Sequence, residues 1–409
     1  MRFGPWNRSI PILAISVSLL HVLAQAESIP AATAPDPLSD PGFQHFYNLE
    51  YDEAMKVFTA RVAANPNDPS AETALAQTVL FYAMFRNRAL DSDLIGSSNA
   101  FMTRPKLKVT SENERQFHTA VDRAMEICQR RIDANSRDGA AVYTLGVAYG
   151  LRANWNFLVT KEYISALRDA TQARKMHNQA SEIDPNFLDA RFVQAAHDYV
   201  VGSLPLGFKL LGFLAGFRGD RDGGMRMLKQ VAESQGANRV DAAVLLSAIL
   251  RREKRPGEAV PLLANVSSQF PRNYLFRLEL ARMYADSGDK TNALASLDRI
   301  EQMRAKGTAG FKMLAEEKVA FDKGNVYFWY GDLDQALGEL KRATSPHGAA
   351  WSSDDAAMAW LRVGQTLDLQ GNHKEAKSAY QTVVRMAPQS ELSKEAHDFM
   401  LFPYKRKRV

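Results

Sequence analysis

The sequence predicts an all-α fold, an α-solenoid of about eight helix pairs finished by a C-terminal capping helix. Three observations predict it. Residues 356–388 read as two helices and a turn, with apolar or small residues at Trp360, Val363, Gly364 and Leu367, then at Ala376, Tyr380 and Val383, and Pro388 closing the unit. The same spacing recurs upstream, where Ala259 and Ala293, and Leu263 and Leu297, stand one 34-residue period apart. A content of 46% hydrophobic and 24% charged residues over 409 positions is that of a soluble folded chain able to bury a continuous core.

Taken in order, the chain begins with a segment that reads as a secretory signal over residues 1–26. Arg2 and Arg8 form a basic start, Ile10 to Ala24 forms an apolar stretch interrupted by Pro11 and His21, and Ala24-Gln25-Ala26 gives a small-residue cleavage site. An uncleaved anchor is the alternative, although the apolar run is shorter than the ~20 residues a span needs. Cleavage removes two cations and no acid, which takes the net charge from +5 to +3 and gives no argument for nucleic acid. Cys128 is the only cysteine, so no intrachain disulfide forms. These features fit a periplasmic or envelope-associated bacterial protein. Residues 27–40, rich in proline and alanine, read as a disordered leader, and residues 41–401 as the solenoid, irregular over 41–235 and regular over 236–388.

Ala54, Phe58 and Pro66 repeat the offsets of Ala376, Tyr380 and Pro388 and mark the second helix of the first unit. A helix over Pro69–Arg86 follows, with Ala74, Leu75, Val79, Tyr82 and Phe85 along one side. Residues 87–111 break the period, either as a functional loop or as packing through Leu94, Ile95, Phe101 and Met102. Ser111 with Glu114 has the spacing of a capping box. In the helix that follows, Cys128 takes a core place and reads as a small apolar residue, not a nucleophile. The third unit carries Leu145, Gly146 and Tyr149, then an elongated connection over ANWNFLVTKEYIS, then Ala173, His177 and Ala180. His177 faces the core and has no second ligand at i+4, so it reads as a buried histidine.

The fourth unit departs from the pattern with YVVGSLPLGFKLLGFLAGF. Either this segment packs on the solenoid, or Leu204, Phe208, Leu211, Phe213, Leu214 and Phe217 form an apolar contact for lipid or a partner helix. Pro205 and Lys209 argue against a span. In GFRGDRDGG, Asp220 and Asp222 read as helix caps and not as a calcium loop, since Val231 stands where the twelfth-place acid belongs. The fifth and sixth units are regular. The seventh shows Gly324, Tyr327, Gly331, Ala336 and Leu340, and a helix over 390–401 caps the stack. The tail, residues 402–409, is basic and reads as solvated.

These offsets resemble the tetratricopeptide repeat, with closer similarity to secreted bacterial repeat proteins carrying a GFxGDRxxG segment and a fainter one to the tetratricopeptide repeat domain 39 proteins. The resemblance implies a right-handed superhelix whose first helices line an inner groove. Carried onto this chain, the groove-facing positions include Arg251, Glu279, Phe321 and Asp368, and the candidate partner-binding residues are Arg252, Arg282, Lys318, Asn325, Phe328, Trp329, Arg362 and Gln365. Cations and an amide suit a carboxylate or a peptide C-terminus, and Phe328 and Trp329 suit an apolar anchor. The set is similar to the carboxylate clamp of chaperone-binding repeat proteins, but departs from it at Leu278, where the clamp has lysine.

No HExxH, GxxxxGK[ST], GxSxG or paired His/Cys cluster is present, and the Ser287/Lys290 pair lies in an inter-helix turn. The sequence therefore points to a non-enzymatic scaffold for a protein or peptide, with no cofactor and no metal. A lipid-associated module using residues 200–217 is the alternative.

Overall fold

The structure, a computed structural model, describes residues 39–90, 106–203, 219–345 and 350–406. Their regular structure is helical throughout, with no strand among the described residues. The first eight helices are α1 (Pro41–Tyr47), α2 (Tyr51–Ala64), α3 (Pro69–Arg86), α4 (Ser111–Ala134), α5 (Gly139–Trp155), α6 (Tyr163–Ile183), α7 (Arg191–Gly202) and α8 (Arg221–Ala232). They are followed by α9 (Arg239–Arg252), α10 (Pro256–Gln269), α11 (Tyr274–Asp286), α12 (Lys290–Ala305), α13 (Glu316–Tyr330) and α14 (Leu333–Arg342). Last come α15 (Ser353–Leu369), α16 (His373–Met386) and α17 (Glu391–Leu401). Taken two by two, α1 to α16 are eight antiparallel pairs and α17 covers the open end, the stacked arrangement expected.

The helices start where polar caps meet apolar periodicity. Asp40, Asp68, Asp138, Asp220, Asn273 and Asp289 each accept a hydrogen bond from a backbone N–H of the first turn, satisfying donors the helix itself leaves unpaired. Asp220 is thus a cap. The start of α4 differs from expectation: Thr110, not Ser111, is the cap, its Oγ accepting from Asn113 N–H at 3.1 Å.

In the seventh and eighth pairs a glycine on the first helix admits a large residue from the second. A Cβ on Gly364 would lie 2.3 Å from the Tyr380 ring, and one on Gly324 would lie 2.6 Å from Leu340 Cγ. Ala54, Phe58, Ala376, Tyr380 and Cys128 are fully buried, so the repeat offsets do mark the core. Burial pushes the Cys128 thiol up to about 12, which removes it from thiolate chemistry at neutral pH. His177 is likewise in the core, edge-on to Tyr143 at 5.2 Å.

The stretch expected as an elongated connection in the third unit is mostly helix. α5 runs on to Trp155 and a π-helical turn, Asn156–Thr160, leads to Lys161 at φ 62. The reason is Trp155, which is fully buried and stacked on Phe117 at 4.1 Å. That apolar anchor holds the chain in register beyond the usual repeat end.

A long-range closure was not foreseen. The joint between α1 and α2 packs on the joint between α10 and α11: Tyr47 meets Phe270 at 4.9 Å, Asn48 Oδ1 accepts from Arg272 N–H at 2.9 Å, and Asn273 Nδ2 donates to Tyr47 O at 2.7 Å. One hydrophobic cluster accordingly joins Phe46, Tyr47 and Leu80 to Val240, Val266 and Phe270. The first unit therefore covers part of the surface that an open solenoid would leave to solvent.

Residues 402–406 of the tail also differ from a solvated basic end. Tyr404 N–H donates to Asp368 Oδ2 at 2.8 Å, and its ring packs on Phe399 at 5.3 Å and on Phe328 at 6.0 Å. Arg406 donates to the carbonyls of Phe328 and Trp329. Those carbonyls lie in the last turn of α13, where the helix dipole favours a cation; Phe328 O also accepts from Gly331 N–H at 3.1 Å.

Candidate functional site

The first helices α11, α13 and α15 stand side by side, and a cavity of about 810 Å³ opens between them and the end of α3. Each wall is fixed locally. Asn273 caps α11 through Phe276 N–H at 3.2 Å. At α15 a full capping box operates, with Ser352 Oγ accepting from Asp355 N–H and Asp355 Oδ2 accepting from Ser352 N–H at 2.9 Å. The mouth is bounded by Asn87 and Arg88; Arg88 sits at φ 55, pairs with Asp355, and lies over the buried Trp351 ring.

Most cations in this cavity are already matched. Arg282 lies 2.5 Å from Glu279 and 3.4 Å from Asp322, Lys318 lies 3.5 Å from the other Asp322 oxygen, and Arg251 lies 2.6 Å from Asp286. Arg362 differs. Its guanidinium rests on two rings, 4.6 Å from the Phe328 centroid and 5.2 Å from that of Trp329, and no carboxylate among the described residues forms an ion pair with it. Burial lowers its pKa, with Tyr404 and Glu395 opposing and Arg406 adding to the shift, but an arginine remains charged at neutral pH. One turn before Trp329, the Asn325 Oδ1 is buried without a hydrogen-bond partner. Beside them Trp329 is 56% exposed, and Tyr330 and Met358 also show apolar surface to the cavity. An unmatched cation, an unused acceptor and exposed apolar side chains thus converge on one concavity, the combination that ligand pockets present.

Of the candidate residues, the structure brings Arg282, Lys318, Asn325, Trp329 and Arg362 together in this wall. Three fall elsewhere. Phe328 is fully buried, one helical step behind Trp329, and serves as the platform under Arg362. Gln365 is buried too, since α15 turns it toward its neighbours. Arg252 is exposed off the cavity, and Arg251, one residue earlier, lines it. Asp368 is an inner hub, accepting from Tyr380 Oη–H at 2.7 Å and bonded to His373 at 2.7 Å.

Arg88, Asn87, Trp351 and Met358 were not foreseen. Met358 occupies position two of the last unit and was reachable by the same register; Arg88 had no local signal, because its partner lies 267 residues away. Leu204, Phe208, Leu211, Phe213, Leu214 and Phe217 lie outside the described residues, as do Leu94, Ile95, Phe101 and Met102. No described helix is long and apolar enough to cross a membrane.

Tetratricopeptide-repeat family models match residues 250–317 and 321–391, the stretch that forms α10 to α16 and most of the cavity wall. The chain therefore carries tetratricopeptide repeats over these residues, within an all-α repeat solenoid, and such repeats serve in protein-interaction scaffolds. It is similar to the mouse protein O-mannosyl-transferase TMTC1, 25% identical over 138 residues, which is 34% of this chain and only 14% of the length of that relative. Among solved structures, it is similar to yeast Tom70 at 14% identity, covering 89% of this chain and 94% of that one with a TM-score of 0.36. It is also similar to PilF of Pseudomonas aeruginosa at 18% identity, covering 64% of this chain and 99% of that one, again with a TM-score of 0.36.

Proposed function

We propose that the protein is a non-enzymatic scaffold that holds a peptide segment of a protein partner in the cavity between α3, α11, α13 and α15. The observation that carries this reading is Arg362, a guanidinium held against Phe328 and Trp329 and in no ion pair with a described carboxylate. A carboxylate of the partner, from a side chain or a chain end, supplies the missing charge in a charge-assisted hydrogen bond. An apolar side chain of the same segment lies on Trp329 and Met358. The internal pairs of Arg282 and Lys318 then shape the wall without taking the ligand. The N-terminal sequence supports delivery to the bacterial envelope, which is where the partner is to be sought.

The test is crosslinking in the native envelope followed by mass spectrometry, comparing the natural chain with Trp329→Ala/Arg362→Ala and with Arg252→Ala. The cavity reading expects one set of partners lost by the double variant and kept by Arg252→Ala. If the double variant keeps every partner, the ligand is held elsewhere. Export is tested in the same strain by fractionation, with the N-terminal residue of the mature chain read by mass spectrometry; cleavage after Ala26 is the expected result.

A further inference from the structure

The outer face of α6 is unlike that of the other second helices. Its inner face, through Ala166, Ala173, His177 and Ala180, is buried. On the opposite side, at ~100° per residue, Tyr163, Leu167, Thr171, Ile164, Lys175 and Arg168 fall within an arc of about 140°. The first turns of that arc are apolar and open: Tyr163 is 48% exposed, Leu167 63% and Ile164 79%. Single apolar residues on a surface need no account, but three on one face within five residues form a patch.

The charges around the patch are mostly of one sign. Arg168 and Lys175 continue the same face and are exposed. Leu107 N–H donates to Leu158 O at 3.0 Å, which sets the exposed Lys106 and Lys108 beside the turn that leads into α6. None of these four is in an ion pair with a described residue. Of the nearby acids, Glu162 is exposed, and Asp169 is buried and bound by Arg152 at 2.7 Å. The turn itself is stiffened by Lys161 over the Phe157 ring at 5.4 Å and by Phe157 against Tyr163 at 5.5 Å, so the patch is presented by a fixed element.

We infer that this face is a peripheral membrane contact, in which Tyr163, Ile164 and Leu167 enter the interfacial zone of an anionic bilayer and Lys106, Lys108, Arg168 and Lys175 meet its headgroups. An apolar edge with a cationic surround is what interfacial elements present to such a surface, whereas a partner protein recognised by an apolar patch has no need of an excess of one sign. The contact requires no membrane-spanning helix. It lies on the outer side of the third unit and is independent of the cavity.

The experiment is vesicle flotation with the full chain. Phosphatidylglycerol-rich vesicles are compared with vesicles of phosphatidylcholine alone, for the natural chain, Ile164→Ser/Leu167→Ser and Arg168→Glu/Lys175→Glu, each checked for an unchanged circular dichroism spectrum. The natural chain floats with the anionic vesicles, and less so as salt is raised. Ile164→Ser/Leu167→Ser lowers the bound fraction about tenfold or more, and the charge reversal abolishes the preference for anionic lipid. The proposal is overturned if the natural chain ignores anionic vesicles or if the serine variant floats like it. It is also overturned if the serine substitutions abolish self-association while lipid binding is unchanged, because the face then belongs to a second copy.

Discussion

Arg272 grips Glu50 across 222 residues of sequence, with Nε–H donating to Oε1 at 2.6 Å and Nη2–H to Oε2 at 3.1 Å. Burial alone would raise the Glu50 pKa; the hydrogen bonds from Arg272 and His45 outweigh it and hold the carboxyl below its usual range. The pair is part-exposed, so its worth is modest. Glu50→Ala and Arg272→Ala should each cost about 1–2 kcal/mol in urea unfolding, and the double variant little more than either single one. A group with a depressed folded pKa stabilises above its unfolded value and loses that contribution as pH falls. The natural chain should therefore lose stability on acidification below about pH 4.5 more steeply than Glu50→Ala does. Additive effects of the two substitutions would show that the bond does not hold the closure.

What was legible in the sequence, and what was not, divides by distance along the chain. Tyr380 against Gly364 could be read because both lie in one repeat, where geometry ties offset to contact. The closure could not: Glu50 and Arg272 each look like an ordinary surface charge, and nothing local tells a solenoid to fold its first pair onto its fifth and sixth. The same limit governs the site. Register placed Arg362 and Asn325 in the wall, but it could not show that Arg282 and Lys318 are occupied by Asp322, which reduces a field of cations to one unmatched guanidinium. Nor could it separate Phe328 from Trp329, adjacent residues of which one is core and the other surface, since that depends on the tail that packs behind them.

Two glycines separate packing from propensity. Gly364 lies on a buried face, where an added Cβ would stand 2.3 Å from a Tyr380 ring tethered through its hydroxyl to Asp368. Gly338 lies on the exposed face of α14, where an added Cβ meets nothing within 4 Å. Gly364→Ala should destabilise by about 2 kcal/mol or more, because the ring cannot turn aside without losing its bond. Gly338→Ala should stabilise by about 0.5–1 kcal/mol through backbone entropy alone. Opposite shifts in melting temperature are the expected readout; a shift of the same sign in both would refute the packing argument.

The tail is the third case. A chain ending at Phe402 lacks the Tyr404 contacts and the Arg406 bonds to the end of α13. It should lose about 1–3 kcal/mol of stability, and amide exchange should rise over 327–332 as the end of α13, no longer held by the tail, frays. Tyr404→Phe should leave both nearly unchanged, because the ring and the backbone N–H do the holding. If truncation altered neither stability nor exchange, the tail would be the solvated end that its composition suggests.

The last prediction concerns His177. It is buried between Tyr143 and Gly146, its Nδ1 has no hydrogen-bond partner among the described residues, and burial lowers its pKa to about 4. The sign follows from proton counting. Between the unfolded value of about 6.5 and the folded value of about 4, the unfolded chain binds a proton that the folded chain refuses, so folding weakens as pH drops through that window. The effect is absent above it and levels off below it. Its ceiling is about 3 kcal/mol, which is large against the net stability of a domain. Phenylalanine fills a similar space and can keep the edge contact with Tyr143, so His177→Phe should be near neutral at pH 8 and more stable than the natural chain at pH 5. Urea titrations at the two pH values, with Glu50→Ala as a control whose effect falls at lower pH, distinguish the histidine from the carboxylates. Equal pH dependence in the natural chain and His177→Phe would mean that the histidine is hydrated or protonated in the fold, and that the third unit is looser than its packing indicates.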